Sequence, residues 1–321
     1  MIEEVTSTAR LEALAPEWWA LWHRFPEATP FQSPAWLLPW WRRFGTADLL
    51  ALAVRQDSRL TSLVPLYGLR EHGIAKLLPL GIGITDYLDP LLARSDAAAV
   101  LAHLASRLQR FDRVDLVEQR AGSPLLDLRL PDAWQFERQY GEPCPTLALP
   151  AADPLARSIP RLAKQPYYQR RAERLGAVAW IAADPGTLPA LLQALFDLHA
   201  ARWSGRDQPG VLADPQVQAF HRDATAELLR AGLLRIVGLQ VDGRLVAVFY
   251  GLVDRQCLHA YLSGYDPAMP HPGLGAMLIG HAIASAAAEG LREFHFLRGR
   301  ESYKYAWGAV DRPLLGLSLW K

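Results

Sequence analysis

The sequence contains little cysteine, little excess charge and no long apolar run. The two cysteines, Cys144 and Cys257, match neither a disulfide framework nor the spacing of a zinc site. We therefore expect no metal and a reducing, cytoplasmic environment. The 34 basic and 33 acidic residues create no long-range field that would attract nucleic acid or an anionic membrane. No apolar run reaches the ~18 residues of a membrane span, and the start, MIEEVTSTAR, has no signal-peptide core, so we expect peripheral membrane contact at most.

What is present is the composition of a globular protein. Hydrophobic residues make up 50% of the chain and charged residues 21%, which excludes a disordered or fibrous protein. The 321 residues exceed the roughly 100–200 residues of a typical single domain. A proline-rich stretch, GEPCPTLALPAADPLARSIP, interrupts the periodic patterns near residue 150. We therefore predict two domains, residues 1–150 and 151–321.

A short internal repeat indicates that the two domains share one plan. The sequence DSRL at residues 57–60 lies between two apolar runs, and DGRL at residues 242–245 lies between runs of similar length. Aspartate and glycine are typical of hairpin turns, but the agreement extends beyond the turn into the flanking strands. We predict duplication of one α/β domain.

The C-terminal half contains an ordered series of predicted elements. Two amphipathic helices, the second capped by Asp214, precede three strand-like runs that end at Tyr265. A loop with Gly273 and Gly275 then leads into an apolar helix over residues 276–289, and a further strand, EFHFL, follows. This order predicts a strand–loop–helix–strand crossover.

The two glycines of this loop have two interpretations. The loop is either a plain turn into the helix or a cradle for an anion, because glycine lets backbone N–H groups approach a ligand and the first N–H groups of a helix are unsatisfied and positively polarised. The loop lacks the lysine–serine pair of a Walker motif and the three-glycine dinucleotide fingerprint. A pantetheine-bearing diphosphate therefore fits better than ATP or NAD.

Two other stretches also have a structural and a functional interpretation. Trp36, Trp40 and Trp41 recur at helical spacing, which is typical of a core face and also of a stacking platform for sugars or bases. The stretch RLAKQPYYQRRAERLG, residues 161–176, is either an exposed helix face or an anion-binding patch for a phosphorylated substrate.

The order of elements and the segment PGLGAMLIGHAIASAAAEG resemble the GNAT superfamily of acyl-coenzyme A transferases, whose loop reads Arg/Gln-x-x-Gly-x-Gly/Ala. Pro270 stands where the Arg or Gln would be. Longer segments resemble the CelD-like acetyltransferases, GNAT-type proteins associated with bacterial cellulose and exopolysaccharide production, over nearly the whole chain. These segments are PFQSPAWLLPWWRRFG, LPLGIGITDYLDPLL, LHAARW, GVLADPQVQAFHRDAT and FLRGRESYKYAWG. An acid commonly precedes FLRG in that family, whereas this chain has His295.

The resemblance implies both a fold and a reaction. The implied fold is α/β, of the α+β type, with tandem GNAT-like domains as in the Fem-type transferases. Each domain is expected to be a mixed, mostly antiparallel sheet flanked by helices, the first degenerate and the second catalytic. The implied reaction is direct transfer of an acyl group from acetyl-coenzyme A or another acyl-coenzyme A to a sugar or amine, which needs no serine or cysteine nucleophile.

The resemblance and the residue chemistry together name candidate site residues. The candidates for cofactor binding are Leu262, Ser263, Gly264, His271, Gly273, Leu274, Gly275 and Ala276, with the oxyanion N–H expected at residues 262–264. Tyr303, preferred over Tyr305, is the expected acid for the leaving thiolate, and Glu301 or His295 is the expected base. The candidates for substrate contact are His199, Arg202, Trp203, Arg298 and Lys304.

Several of these residues have a structural alternative. Tyr303 also fits a packed tyrosine, and Glu301 also fits an ion pair with Arg298 or Lys304. His199 shares a helix face with Trp203, so it also fits a buried, hydrogen-bonded histidine.

Three functions from different classes follow from the sequence. The first is an acyl-coenzyme A-dependent N- or O-acyltransferase. The second is a Fem-type aminoacyl transferase, which would use charged tRNA and which the balanced charge disfavours. The third is a non-catalytic partner in a polysaccharide assembly complex, which would not bind coenzyme A.

Overall fold

The computed structural model describes residues 1–46, 48–128, 134–150, 155–203, 210–270 and 273–321. The chain divides into two compact units, which we call unit 1, Met1–Glu142 with Pro313–Lys321, and unit 2, Pro143–Arg312. The sequence-based boundary at residue 150 thus lies a few residues beyond the division. The chain's last residues also belong to unit 1, not to the second domain as predicted.

Unit 1 contains a seven-stranded mixed sheet. Its strands, in spatial order, are β1 (Ile2–Val5), β2 (Asp48–Gln56), β3 (Arg59–Glu71), β4 (Ile74–Pro79), β5 (Arg113–Arg120), β14 (Leu314–Trp320) and β6 (Gln135–Tyr140). Its helices are α1 (Thr8–Ala13), α2 (Ala15–Arg24), α3 (Pro34–Phe44) and α4 (Arg94–Arg107). β4 and β5 are parallel, and the other neighbours are antiparallel.

Unit 2 contains a second seven-stranded sheet. Its strands, in spatial order, are β8 (Val178–Ala182), β9 (Leu234–Val241), β10 (Arg244–Val253), β11 (Cys257–Tyr265), β12 (Glu293–His295), β7 (Cys144–Ala148) and β13 (Val310–Arg312). Its helices are α5 (Leu155–Ser158), α6 (Gln165–Glu173), α7 (Leu188–Trp203), α8 (Pro215–Arg230), α9 (Leu274–Ala288) and α10 (Ser302–Tyr305). β11 and β12 are parallel, and the other neighbours are antiparallel.

The two sheets have the same strand order and the same strand directions, so the predicted duplication and fold class are confirmed. The hairpins β2–β3 and β9–β10 occupy equivalent places, with positive φ at Asp57 and Ser58 in the first turn and at Asp242 and Gly243 in the second. The sixth strand of the unit 1 sheet is β14, which comes from the last residues of the chain. The sixth strand of the unit 2 sheet is β7.

Local signals account for several features of the helices. Asp214 caps α8 by accepting a hydrogen bond from the Gln216 N–H, as predicted. On α3, Trp36, Trp40 and Trp41 are buried in unit 1, so the core interpretation of these tryptophans is confirmed. Among the described helices, none has the length and hydrophobicity to cross a membrane.

Candidate active site

The parallel strands β11 and β12 separate shortly after they meet. They pair at three positions, the last of which joins His259 to His295, whereas β11 continues to Tyr265 alongside β10 alone. A β-bulge lies on β11 at Tyr261, between two successive pairs of β10 and β11. Bulges bend a strand and increase its local twist, and this bulge lies just beyond the last pair of β11 with β12. We call the resulting gap the β11–β12 opening.

Backbone alternation identifies the N–H groups that face this opening. The N–H of Asp266 donates to the Val246 carbonyl of β10, and in an antiparallel pair alternate residues face the neighbouring strand. The N–H of Gly264 therefore also faces β10, whereas the N–H groups of Ser263 and Tyr265 face the opening. Residues 262–264 were predicted to supply the N–H that binds the oxyanion. Of these three residues, Ser263 is the one whose N–H faces the opening.

Gly264 itself has a packing role. A Cβ at residue 264 would lie 3.0 Å from the Leu198 Cβ and 3.2 Å from the His199 backbone nitrogen. The glycine thus lets α7 approach β11 closely. His199 is buried at this helix–strand contact, in agreement with its structural alternative.

The loop after β11 leads to the start of α9. Asp266 organises this loop, because its carboxylate accepts the Ala268 N–H at 2.8 Å and pairs with Arg244 at 2.9 Å. Gly273 is the N-cap of α9 and supplies no side-chain cap. The first N–H groups of α9 therefore have no side-chain acceptor from the cap and lie at the positive end of a four-turn helix.

The two glycines differ in their surroundings. The Tyr168 ring lies against Gly273, where a Cβ would be 2.4 Å from the ring carbon Cδ1. A Cβ at Gly275 would meet Tyr265 at 3.5 Å, an ordinary contact. Gly273 is thus required by packing, whereas a Cβ at Gly275 would fit without displacing a neighbour. The Leu274 side chain is buried in the core and that of Ala276 is half-buried; His271 lies outside the described residues.

The basic stretch forms α6 and the turn before it, and α6 packs on α9. Gln165 donates from Nε2 to the Ala276 carbonyl at 2.9 Å, and Tyr168 contacts Gly273. Lys164, Arg170 and Arg174 are exposed. Three basic side chains of the stretch are thus exposed, and α6 contacts the N-terminal part of α9.

Two imidazole–carboxylate pairs lie where β11 and β12 separate. His259 and His295 are partners in the strand register, and their ring centroids are 4.9 Å apart. Nε2 of His259 lies 2.7 Å from Asp254 Oδ2, and Nε2 of His295 lies 2.9 Å from Glu293 Oε2. Both histidines are buried.

Burial and charge set the protonation of the His295 pair. Burial lowers the pKa of His295 to about 4, against the opposing effect of Glu293, so the imidazole is neutral near pH 7. The hydrogen bond from His295 and the charge of Arg312 lower the pKa of Glu293 to about 2. Near pH 7 the site therefore holds a neutral imidazole that is hydrogen-bonded to a carboxylate.

Cys257 lies between the two pairs. Its Sγ is 3.4 Å from Glu293 Oε2. The Cys257 sulfur belongs to two trios of potential metal ligands, one with Asp254 and His259 and one with Glu293 and His295. Within each trio the ligand atoms lie within 4.8 Å of one another. This grouping would also suit a divalent cation. Each imidazole Nε2 already bonds to a carboxylate, and burial raises the pKa of the Cys257 thiol, which keeps it protonated.

The segment after β12 holds the remaining candidates. Lys304 is buried, and its Nζ donates to the carbonyl oxygens of Leu297, Arg298 and Gly299 and pairs with Glu301 at 3.0 Å. Lys304 therefore stabilises this turn instead of contacting substrate. The ion-pair alternative for Glu301 is confirmed, with Lys304 as the partner.

The two tyrosines of this segment differ in their partners. The Tyr303 side chain is half-exposed, and its ring lies edge-on to Phe296 at 6.2 Å. The Tyr305 hydroxyl donates to Asp311 at 2.8 Å. The Tyr305 hydroxyl is thus engaged with Asp311, and the role of Tyr303 as the acid stays a prediction. Arg202 and Trp203 lie in the last turn of α7, but their side chains are outside what the structure describes, and Arg298 is half-buried.

Sequence reasoning missed the Asp254–His259 pair. A signal was present, because alternation along a strand puts Cys257 and His259 on one face of β11 and puts Glu293 and His295 on one face of β12. What the sequence did not contain was the register that brings the two faces together.

In unit 1 the corresponding gap is closed by the chain itself. β4 and β5 pair at two positions, and the segment 80–93 follows β4. The N–H of Leu88 donates to the Glu118 carbonyl of β5 at 3.0 Å, and the Leu91 carbonyl accepts from the Leu63 N–H of β3 at 2.8 Å. The segment therefore bridges β3 and β5 at the place where unit 2 has its opening.

Comparison with known proteins agrees with this architecture. A family model for the acetyltransferase (GNAT) domain matches residues 165–305, less than half of the chain. Residues 165–305, which lie in unit 2, are thus similar to the acetyltransferase (GNAT) domain. No curated protein shows significant sequence similarity to the chain.

Solved structures with the same fold cover nearly the whole chain. A conserved protein of unknown function from Bacteroides thetaiotaomicron is 13% identical with a TM-score of 0.64, and the match covers 100% of both chains. FemX is 8% identical with a TM-score of 0.64, covering 99% of this chain and 96% of FemX. The C-terminal domain (DUF2156) of an Agrobacterium fabrum protein named as a lysylphosphatidylglycerol synthetase is 13% identical with a TM-score of 0.62, covering 97% and 92%. At these identities the likeness shows the fold alone.

Proposed function

We propose that unit 2 transfers an acyl group, most simply acetyl, from acyl-coenzyme A directly to a sugar or amine acceptor. One observation carries the proposal: the β11–β12 opening leads along β11 to the N-terminus of α9, where the N-cap residue Gly273 supplies no side-chain cap. A thioester arm fits between separated strands, and a diphosphate fits the unsatisfied N–H groups of a helix start.

The residues at the opening supply the steps of direct transfer. The Ser263 N–H faces the opening and would donate to the oxyanion that forms as the acceptor attacks the thioester carbonyl. The neutral His295 imidazole, backed by Glu293, would take the proton of the acceptor. Tyr303 would protonate the departing thiolate of coenzyme A. No covalent enzyme intermediate is needed, because both substrates are held together.

The acceptor class rests on the CelD-like resemblance. That resemblance supports a saccharide acceptor and a part in exopolysaccharide or cellulose production. The catalytic site would then belong to unit 2, and unit 1 would be a degenerate copy, since its own segment 80–93 fills the equivalent gap.

Aminoacyl transfer is the second candidate function. The shared fold with FemX over nearly the whole chain and the exposed basic face of α6 favour it. The overall charge balance disfavours it, because a tRNA-binding protein needs a broad basic surface. A chain that binds neither coenzyme A nor tRNA would instead be a non-catalytic partner in polysaccharide assembly.

Ligand-induced thermal stabilisation tests the proposal. Acetyl-coenzyme A, longer acyl-coenzyme As and free coenzyme A should raise the melting temperature, whereas ATP and aminoacyl-tRNA should not. A ligand at about 100 times its dissociation constant adds roughly 2.7 kcal/mol of stability. Stabilisation by aminoacyl-tRNA alone would favour the second candidate function, and no response to any ligand would favour the non-catalytic one.

A charge substitution at the helix start makes the test specific. Gly275→Asp puts a carboxylate where the diphosphate would bind, while an acid in the first turn of a helix does not weaken the helix itself. We expect the variant to fold and to lose the response to coenzyme A. Gln216→Asp, in the first turn of α8, is the matched control and should keep it. A full response in Gly275→Asp would contradict the proposed site.

A further inference from the structure

Helix α6 runs antiparallel to α9 and ends near the start of α9. Gln165, the first residue of α6, bonds to the Ala276 carbonyl, and three residues later Tyr168 contacts Gly273, the N-cap of α9. Each step along α6 thus moves toward the N-terminus of α9. The last turn of α6 follows Tyr168 and therefore extends past the first turn of α9, on the side to which its unsatisfied N–H groups point.

The chain that follows α6 agrees with this placement. The Ala177 carbonyl accepts the N–H of Asp242, in the turn between β9 and β10, at 2.8 Å. Arg244, the first residue of β10, pairs at 2.9 Å with Asp266 of the loop that leads from β11 to α9. The end of α6 and the start of α9 therefore lie at the same end of the unit 2 sheet.

The basic residues of α6 are concentrated on one side of the helix. The stretch Arg161–Arg174 contains five basic residues and one acidic residue. Lys164 lies four residues before Tyr168 and Arg171 three residues after it, so both are neighbours of the ring that contacts α9. Arg174, at the C-cap, lies three residues after Arg171. We call Lys164, Arg171 and Arg174 the α6 basic flank.

No carboxylate of the described ranges pairs with the α6 basic flank. Lys164 and Arg174 are exposed, and the half-buried Arg171 donates to the Tyr167 hydroxyl at 3.3 Å. Other arginines of unit 2 are neutralised, as in the ion pairs Arg235–Glu289 and Arg244–Asp266. The flank is thus a local positive charge on a chain of balanced charge, and it lies beside the positive end of the α9 dipole.

We propose that the α6 basic flank binds the 3′-phosphate of coenzyme A. The proposal deepens the proposed function and rests on it. Coenzyme A has a phosphomonoester on its ribose, one sugar away from the diphosphate that we assign to the start of α9. Arg171 lies three residues, or about 4.5 Å of helix, beyond the residue that contacts the N-cap of α9. A guanidinium binds phosphate oxygens through paired N–H donors, and a lysine adds a point charge.

This assignment narrows the class of donor that the site uses. 3′-Dephospho-coenzyme A keeps the thiol, the pantetheine arm and the diphosphate, and it lacks only the phosphomonoester. That group carries a charge of about −1.5 to −2 near pH 7. A site made by the start of α9 alone would bind both compounds with similar affinity. With the flank in place, the donors are thioesters of the 3′-phosphorylated compound.

Titration calorimetry of the full-length protein with these two compounds tests the inference. We expect coenzyme A to bind about tenfold or more tightly than 3′-dephospho-coenzyme A. The preference should decrease as ionic strength rises, because the flank is largely exposed and salt screens its charge. Equal affinities at low ionic strength would overturn the proposal.

Arg171→Gln distinguishes the flank from the start of α9. We expect this variant to bind coenzyme A about fivefold or more weakly and to bind 3′-dephospho-coenzyme A within about twofold of wild type. The retained second affinity also shows that the variant folds. Arg170→Gln is the matched control, because Arg170 is exposed on the same helix but does not share a face with Tyr168. It should change neither affinity by more than about twofold.

Three outcomes of the variant experiments would overturn the proposal. One is a wild-type preference for coenzyme A in Arg171→Gln. Another is an equal loss of that preference in both variants, which would assign the effect to overall charge. The third is binding of tRNA that is lost in Arg171→Gln while the affinity for coenzyme A is unchanged.

Failure of the proposed function has a different signature. A wild-type chain that binds neither compound would refute the coenzyme A site and the flank together. A chain that binds both compounds equally would keep the site and refute the flank alone.

Discussion

Tyr168 packs its ring against Gly273 so closely that a methyl group at residue 273 would lie 2.4 Å from the ring. Gly275, two residues on, has 3.5 Å to the nearest ring atom of Tyr265. The loop therefore contains one glycine that packing requires and one that packing does not require.

The two glycines should respond differently to alanine. Gly273→Ala forces Tyr168 to move, and overpacking of this kind costs about 1–3 kcal/mol in the free energy of unfolding. Gly275→Ala should change that free energy by less than about 1 kcal/mol, since alanine favours the helix. Urea unfolding of both variants measures the difference. Equal effects would contradict the packing role of Gly273.

Lys304 should be a stability residue. Lys304→Met removes the donor that three carbonyl oxygens share, and buried acceptors without a donor cost about 1–3 kcal/mol. Arg300→Met, at an exposed neighbour, should cost less than about 0.5 kcal/mol. Urea unfolding at pH 7 measures both. A Lys304→Met chain with wild-type stability and lost activity would restore Lys304 as a substrate contact.

Stability should fall in mild acid because of buried histidines. Burial lowers the pKa of His221 to about 3 and that of His295 to about 4, from an ordinary value near 6.5. Between those values the unfolded chain binds protons that the folded chain does not, so the free energy of unfolding falls as pH falls below about 6.5. Each group contributes a slope of about 1.4 kcal/mol per pH unit.

His221→Gln should remove one of these contributions. Urea unfolding at pH 7.5, 6.5, 5.5 and 4.5 covers the window before most carboxylates titrate. We expect the slope between pH 6.5 and 4.5 to decrease in His221→Gln and to stay unchanged in His23→Gln, an exposed control. The same slope in both variants would mean that His221 is charged in the folded chain.

Activity should not depend on a metal. The imidazole–carboxylate pairs are hydrogen-bonded as they stand, so dialysis against a chelator should leave acyl transfer and coenzyme A binding within twofold of the untreated protein. Elemental analysis of the purified chain provides the check. Stoichiometric zinc that is lost in Cys257→Ser would mean that the group is a metal centre.

Much of the fold could be predicted from local signals. Asp214 before α8, the Asp-x-Arg-Leu turns and the apolar runs depend on neighbours in sequence, and the structure has them where the sequence indicates. The sixth strand is β14 in the sheet of unit 1 and β7 in the sheet of unit 2. This assignment could not be predicted, because strands of similar composition pair equally well with either sheet.

The parts of the site that depend on neighbours in sequence could also be predicted. The glycine loop and His295 are visible in sequence, whereas the role of Lys304 depends on three carbonyl groups that a turn with positive φ at Leu297 and Gly299 brings together. The Asp254–His259 pair depends on the register of β11 with β12. Such contacts arise between residues distant in sequence, and spacing alone does not specify them.

The central claim is a single acyl-coenzyme A site in unit 2, and titration calorimetry with acetyl-coenzyme A tests it most directly. We predict one site per chain, lost in Gly275→Asp and retained in Leu88→Ala, which alters the segment that fills the gap of unit 1. Two sites per chain, or one that survives Gly275→Asp but is lost in Leu88→Ala, would contradict the claim. So would the absence of binding at millimolar ligand.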